Sequence, residues 1–300
     1  MTRTPQRVTL LTNPASGQGH GSAAAQRAVV RLQRRGVDVV ELIGSDAAHA
    51  RRLLDEALDQ GTDAVVVAGG DGMISLVLQE LAQTDVPLGI IPAGTGNDHA
   101  REFGIPRDDP EAAADIVATG RTETIDLGRI EAADGTVKWF GTVMAAGFDS
   151  LVTDRANRMT WPRGRMRYNV AMLAELSQLR LLPFHVSFDG GPVAETPLTF
   201  AAFGNTRSYG GGMLICPGAD PHDGLLDVTM AASASRTKLI RLFPTVFKGT
   251  HVNRDEVKTV RARSITIDCP GINAYADGEY MCPLPVTVSA APGALRVLVP

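Results

Sequence analysis

Three short loops carry the residue types needed to handle a polyphosphate: Asn13-Pro14-Ala15-Ser16-Gly17, Gly69-Gly70-Asp71-Gly72 and Pro92-Ala93-Gly94-Thr95-Gly96-Asn97-Asp98. Glycine lets the main chain approach phosphate oxygens closely, and the amides left unpaired where a helix begins can bind the negative charge. Asp71 and Asp98 place carboxylates beside those glycines. Next to phosphate they make sense when magnesium shares the site, because a hard cation prefers oxygen ligands and bridges to nucleotide phosphates. Taken singly, each loop reads as well as a tight turn. Two other phosphate motifs do not fit: Gly17-Gln18-Gly19-His20-Gly21 misses the GxGxxG spacing, and no GxxxxGK[ST] stretch occurs.

The elements that must position these loops alternate. Apolar runs at 7–11, 37–43, 64–68 and 88–91 read as strands, and helical periodicity at 21–35, 46–60 and 73–83 fills the gaps. Such alternation predicts a parallel sheet covered on both faces, with the strand-to-helix loops gathered at one edge, where ligands bind. After about residue 126 the texture changes to short runs at 138–143, 184–188, 198–203, 226–230, 264–268 and 286–290, read as antiparallel strands between Gly, Pro and Asp turns. Helices are expected at 165–181 and 236–247, and the apolar run 295–299 is a candidate to return to the first part of the molecule.

Composition sets the outer limits. With 300 residues, two domains are the natural expectation, and 44% hydrophobic with 21% charged residues is ordinary for a folded globular chain. A net charge of -4 argues against a surface built for nucleic acid. The start lacks a secretory apolar stretch, and no run approaches the roughly 20 apolar residues of a bilayer span, so the expected location is cytoplasmic. Cys216, Cys269 and Cys282 are each followed by Pro and form no CxxC pair, which reads as solitary buried thiols.

At the level of motifs the chain resembles the diacylglycerol kinase catalytic family, which includes bacterial lipid kinases and is related to sphingosine and ceramide kinases. The resemblance rests on Asn-Pro-Ala-Ser-Gly at 13–17, Gly-Gly-Asp-Gly at 69–72, Pro-Ala-Gly-Thr-Gly-Asn-Asp at 92–98 and Asp-Gly-Glu at 277–279, in order across nearly the whole chain. It implies an α/β nucleotide-binding domain of Rossmann-like, NAD kinase type over 1–126, completed by about 292–300, and an antiparallel β-sandwich domain for the lipid over 127–291. It implies that Asn13, Ser16, Gly17, Gly69, Gly70, Asp71, Gly72 and Thr95 hold ATP, that Asp71, Asp98 and Asp126 form an acidic, water-linked magnesium network, and that Glu279 is the general base. By the same resemblance, Asp223 with main-chain oxygens of Asp220 and Leu225 holds a structural magnesium; on residue types alone this stretch is equally an Asp-Gly turn.

The expected reaction is transfer of the γ-phosphoryl group of ATP to a lipid hydroxyl, with diacylglycerol the first acceptor to consider. Rivals are a kinase for a sphingoid base, ceramide or glycolipid, and a lipid-binding regulatory protein with impaired turnover. The second rival draws on departures inside the signature: Met73, Ser75 and Leu76 replace the family's Thr, Asn and Glu, and Gln18 stands where bacterial relatives often carry Lys. The expected partners are ATP and a membrane lipid, with peripheral, transient membrane contact and a homodimer left open. Arg155, Arg158, Arg163, Arg165 and Arg167 around Met159 and Trp161 suit anionic headgroups and suit a solvated loop nearly as well. His99, beside Asp98, is read as a helix-start residue without catalytic duty.

Overall fold

A computed structural model describes residues 4–12, 20–162, 165–233 and 235–300. Strands and helices alternate through β1 (Arg7–Thr12), α1 (His20–Arg34), β2 (Asp38–Ile43), α2 (Ala47–Asp59), β3 (Ala64–Gly69), α3 (Asp71–Leu81) and β4 (Leu88–Pro92). The four strands pair in parallel in the order β2-β1-β3-β4. Every residue of β3, Ala-Val-Val-Val-Ala-Gly, is buried, as the centre of a sheet covered on both faces requires. Helix α1 turns Ala25, Ala28, Val29 and Leu32 inward. Helix α2 starts where the Asp46 carboxylate accepts the His49 amide at 2.9 Å.

The chain continues through α4 (Asp98–Glu102), α5 (Pro110–Thr119), β5 (Thr122–Ala132), β6 (Val137–Phe140), β7 (Val143–Gly147), α6 (Phe148–Arg158), α7 (Arg165–Ser177), β8 (Leu182–Phe188), β9 (Ala194–Leu198) and β10 (Phe200–Gly204). It closes with β11 (Leu226–Ala231), α8 (Arg236–Val246), β12 (Val257–Ala262), β13 (Ser264–Asp268), β14 (Asn273–Ala276), β15 (Glu279–Pro283) and β16 (Val286–Leu298). The long strand β16 joins the two halves. Near its end Val297 pairs in parallel with Leu88 of β4, and nearer its start Val286 to Ser289 pair antiparallel with β13. A register shift between Ala291 and Leu295 separates the two stretches, and β5 follows β16 along both.

Among the described residues the first sheet thus has ten strands, running on from β4 through β16, β13 and β8 to β9. A second, six-stranded sheet, β12-β11-β10-β7-β14-β15, is antiparallel throughout. Phe140, Phe184, Phe203, Ile265 and Val288 are fully buried in one apolar core to which both sheets contribute, which makes this half a sandwich.

Two expected strands are each divided in the structure. The run at 138–143 breaks into β6 and β7, in different sheets, because the amides of Gly141 and Thr142 donate to the Asp277 carboxylate at 2.9 and 2.8 Å instead of to a ladder. The run at 198–203 breaks at Thr199, whose hydroxyl donates to the Ser233 carbonyl at 2.6 Å where the chain passes from one sheet to the other. Helix α7 ends at Ser177, short of the expected 181.

Candidate active site

Two of the three glycine loops meet at the carboxyl ends of β3 and β4. They touch main chain to main chain: a Cβ on Gly94 would lie 2.4 Å from the Cα of Gly70. Only glycine at both places permits that approach. Asn97 holds the second loop, accepting the Gly94 amide at 3.0 Å and donating to its carbonyl at 2.9 Å. Helix α3 begins after Gly70 with no side-chain cap, so its first amides keep their capacity for an anion. Thr95 is exposed at the loop's tip.

These loops border a cleft of about 870 Å³. Gly70, Gly72 and Gly94 line one wall, Lys138, Trp139, Glu279 and Tyr280 the other, and Arg51 sits at the edge. Glu279 lies directly over Gly72, where a Cβ would come 2.6 Å from its Oε1. Loss of solvation, followed by the nearby charge of Asp277, pushes its carboxyl above the usual glutamate range. The departures Met73, Ser75 and Leu76 all line this cleft, so the signature differs where a ligand would be felt.

Behind the cleft lies a buried cluster of ionisable side chains. Asp71 Oδ1 accepts the amide of Asp98 at 2.9 Å and lies 3.1 Å from His99 Nδ1. The far side of the same ring, Nε2, has no hydrogen-bond partner among the described residues and sits 4.0 Å from Asp277 Oδ2. Burial opposes a charge on His99, but its bond to Asp71 and the surrounding carboxylates outweigh burial and raise its pKa. Burial also works against ionised Asp71, and His99 with the two amides reverses that, holding Asp71 below the ordinary aspartate value. Asp98 is raised, mainly by burial, although it accepts the Gly211 amide at 2.7 Å and pairs with Arg101.

The other expected residues are placed differently. Asn13, Ser16, Gly17 and the departure Gln18 lie outside the described residues, as does Arg163. Asp126 is buried, and its two oxygens accept the amides of Gly224 at 2.7 Å and Gly293 at 2.8 Å. It pins two turns, and no hydrogen bond joins it to Asp71 or Asp98 among the described residues. Asp223 accepts the Leu225 amide at 2.9 Å and is paired with Arg261, while Asp220 accepts from His222. A guanidinium balances Asp223 here, so a magnesium ion at this loop would have to displace Arg261. Among the described residues no group of three or more His, Cys, Asp and Glu side chains is arranged to hold a metal. Within the arginine cluster, Arg155 is paired with Glu175, and Arg167 donates to the Met159 carbonyl at 3.2 Å. All three cysteines are buried and unpaired.

Sequence reasoning missed three participants. Lys138 reaches the Met281 carbonyl at 2.5 Å from an edge strand, and an isolated lysine carries no motif. The segment that supplies the Gly211 amide to Asp98 does have a signal, the run Gly210-Gly211-Gly212. His99 stands in the first turn of α4, as expected, and is also buried between Asp71 and Asp277, which its position in the sequence does not announce.

An α/β sheet with glycine loops at the ends of its parallel strands, joined to an antiparallel sandwich that shares the cleft, defines the class of diacylglycerol kinase-like enzymes. The sequence profile of the diacylglycerol kinase catalytic domain matches residues 7–130, and that of the YegS C-terminal NAD kinase beta sandwich-like domain matches 142–299. A diacylglycerol kinase of Mycobacterium tuberculosis (strain ATCC 25618 / H37Rv) is 66% identical over 294 residues, 98% of this chain and 95% of that protein. A diacylglycerol kinase of Bacillus subtilis (strain 168) is 28% identical over 287 residues, 93% of this chain and 92% of that protein. In fold, the chain resembles the crystal structure of a diacylglycerol kinase from Bacillus anthracis str. Sterne, with a TM-score of 0.73 at 21% identity over 99% of this chain and 98% of that one. The chain belongs to the diacylglycerol kinase family of lipid kinases. It is an enzyme that uses ATP to phosphorylate a lipid.

Proposed function

We propose that the acceptor is diacylglycerol and the product phosphatidic acid. The observation that carries the reaction is that the Glu279 carboxylate and the glycines 70, 72 and 94 face one cleft, which puts a proton acceptor beside main chain suited to phosphate. Glu279 takes the proton of the lipid hydroxyl as its oxygen bonds to the γ-phosphorus; the bond from that phosphorus to the bridging oxygen breaks, and ADP leaves. Asn13, Ser16, Gly17, Gly69 to Gly72 and Thr95 hold the nucleotide. Asp71 and Asp98 are the carboxylates that would face a magnesium ion carried by ATP, which would supply neutralisation of phosphate charge. Asp126, which holds the turns at Gly224 and Gly293, completes the acidic network in the same reading.

The same reading divides the chain into a nucleotide part over 1–126, completed by about 292–300, and a lipid part over 127–291, working transiently at a membrane surface in the cytoplasm. Whether two copies pair is a matter for solution mass. At Asp220, Asp223 and Leu225 the proposal is a magnesium clip formed in exchange for Arg261; a melting temperature unmoved by magnesium and by chelator rules it out. Mass spectrometry of products after incubation with MgATP and a panel of diacylglycerol, ceramide, sphingoid base and glycolipid tests the acceptor. Phosphatidic acid as the dominant product is expected, and a dominant phosphosphingolipid overturns the assignment.

A further inference from the structure

Helix α8 has more apolar surface than the fold can bury. Leu242 and Val246 point into the sandwich half, with Leu239 packed beside them. Yet Ile240, Phe243 and Phe247, spaced i, i+3 and i+7 along a second face, are 56%, 47% and 49% exposed. Single exposed apolar residues are ordinary, but three on one helical face, two of them in edge-to-face ring contact at 5.7 Å, form a patch. Charge adds to the pattern: residues 236–248 hold Arg236, Lys238, Arg241 and Lys248 and no acid, in a chain whose net charge is -4; Lys238 is paired with Glu256 at 2.6 Å, which leaves Arg241 and Lys248 as the cations beside the patch. Arg241 and Lys248 are exposed about a quarter turn further round than Ile240. The adjoining helix repeats the pattern. Met166, Val170 and Leu173 of α7 are exposed at i, i+4 and i+7, Trp161 just before it is 81% exposed, and Arg236 at the start of α8 donates to the Ser177 carbonyl at the end of α7.

We infer that α8, continued by the exposed face of α7, is the platform on which this enzyme lies on an anionic bilayer, its outer apolar face in the interface and its cations against the headgroups. The inference rests on the lipid-kinase reading for its purpose, since the acceptor is held in a membrane, but its geometry is independent of the acceptor's identity. The occupant follows from charge and apolar surface together: exposed Ile240, Phe243 and Phe247 flanked by Arg241 and Lys248 match an interface that offers acyl chains and acidic headgroups side by side.

The full chain is sedimented with vesicles of equal parts phosphatidylcholine and phosphatidylglycerol, and with phosphatidylcholine alone. Wild type is expected on the mixed vesicles. The variant Ile240→Ser/Phe243→Ser/Phe247→Ser should bind them at least about tenfold more weakly. The variant Arg241→Gln/Lys248→Gln should lose about thirtyfold at low salt and less at high salt. The first variant should still phosphorylate a short-chain, monomerically dispersed diacylglycerol at the wild-type rate while failing on the vesicle-embedded lipid. Should the first variant melt early, the second, which alters only exposed side chains, carries the test. Wild type that ignores mixed vesicles, or unchanged vesicle binding by both variants, overturns the platform, as does a wild type that self-associates in solution through this face, with the first variant monomeric yet still bound to vesicles. Absence of turnover on dispersed acceptor by wild type sinks only the acceptor assignment, because vesicle binding reads the platform directly.

Discussion

A carboxylate that takes a proton from an alcohol needs a place at the hydroxyl and affinity for the proton; Glu279 lines the cleft and its carboxyl is raised, which is what the proposed role asks of it. Glu279→Gln keeps size and polarity and removes the base, so turnover should fall about a hundred- to ten-thousandfold, with nucleotide affinity by calorimetry near wild type. Because its carboxyl is raised, kcat/KM should climb with pH through a pKa above that of ordinary glutamate, and the Gln variant should lose that limb. Two glycines separate chemistry from folding. Gly72→Ala meets only the tip of Glu279 and should lower turnover without moving the melting temperature, whereas Gly94→Ala meets backbone and should cost about 1–3 kcal/mol in denaturant titration. Reversed outcomes would show that the loops, not the carboxylate, adapt. Residues grouped in motifs were legible before the fold was known, since the glycines and aspartates of 69–72, 92–98 and 277–279 declare themselves by spacing. The link His99 makes between Asp71 and Asp277 was not, because it depends on burial between segments far apart in the chain.

Elements hold one another by different forces, and α1 against α5 is a case where charge contributes. Asp115 accepts from both Arg31 and Arg35 at 2.7 and 2.8 Å, and these bonds hold its carboxyl well below the usual range. A depressed carboxylate stabilises above its unfolded pKa, near 3.9, and loses that contribution as pH falls toward its folded value. Asp115→Asn should therefore be less stable than wild type at neutral pH, by no more than about 1 kcal/mol given solvent screening, with the gap closing in acid. A gap that widens below pH 4 would contradict the assignment. Helix α5 could have been read in advance: Asp109 caps it, Pro110 opens it and Gly120 ends it. Helix α6 offered less, because only Ser150, Val152 and Ala156 are buried and its periodicity is faint. The split of 138–143 had no local sign, since it is imposed by Asp277 from a distant turn.

Across the whole molecule, several ties cross the cleft or its margins. Gln79 of α3 exchanges hydrogen bonds with the main chain of Trp139 in β6 at 2.8 and 3.0 Å, and Arg207 pairs with Glu102 at 3.1 Å. A ligand held between such parts stabilises the native state as a unit, so MgATP at a hundred times its dissociation constant should add about 2.7 kcal/mol and raise the melting temperature by several degrees. No shift, with no heat of binding, would remove nucleotide from the cleft. The parallel half was legible as a pattern, and so was the change to antiparallel texture; that one sheet runs through both was hidden, because the connection is the single strand β16. That strand has a consequence for how the protein is made. Leu88 waits for Val297, so the free side of β4 stays an open edge until the ribosome has produced everything between them, roughly ten to forty seconds at about 5–20 residues per second. During that interval the nascent chain presents a parallel sheet with an unpaired border, the kind of surface on which chaperones and neighbouring chains compete.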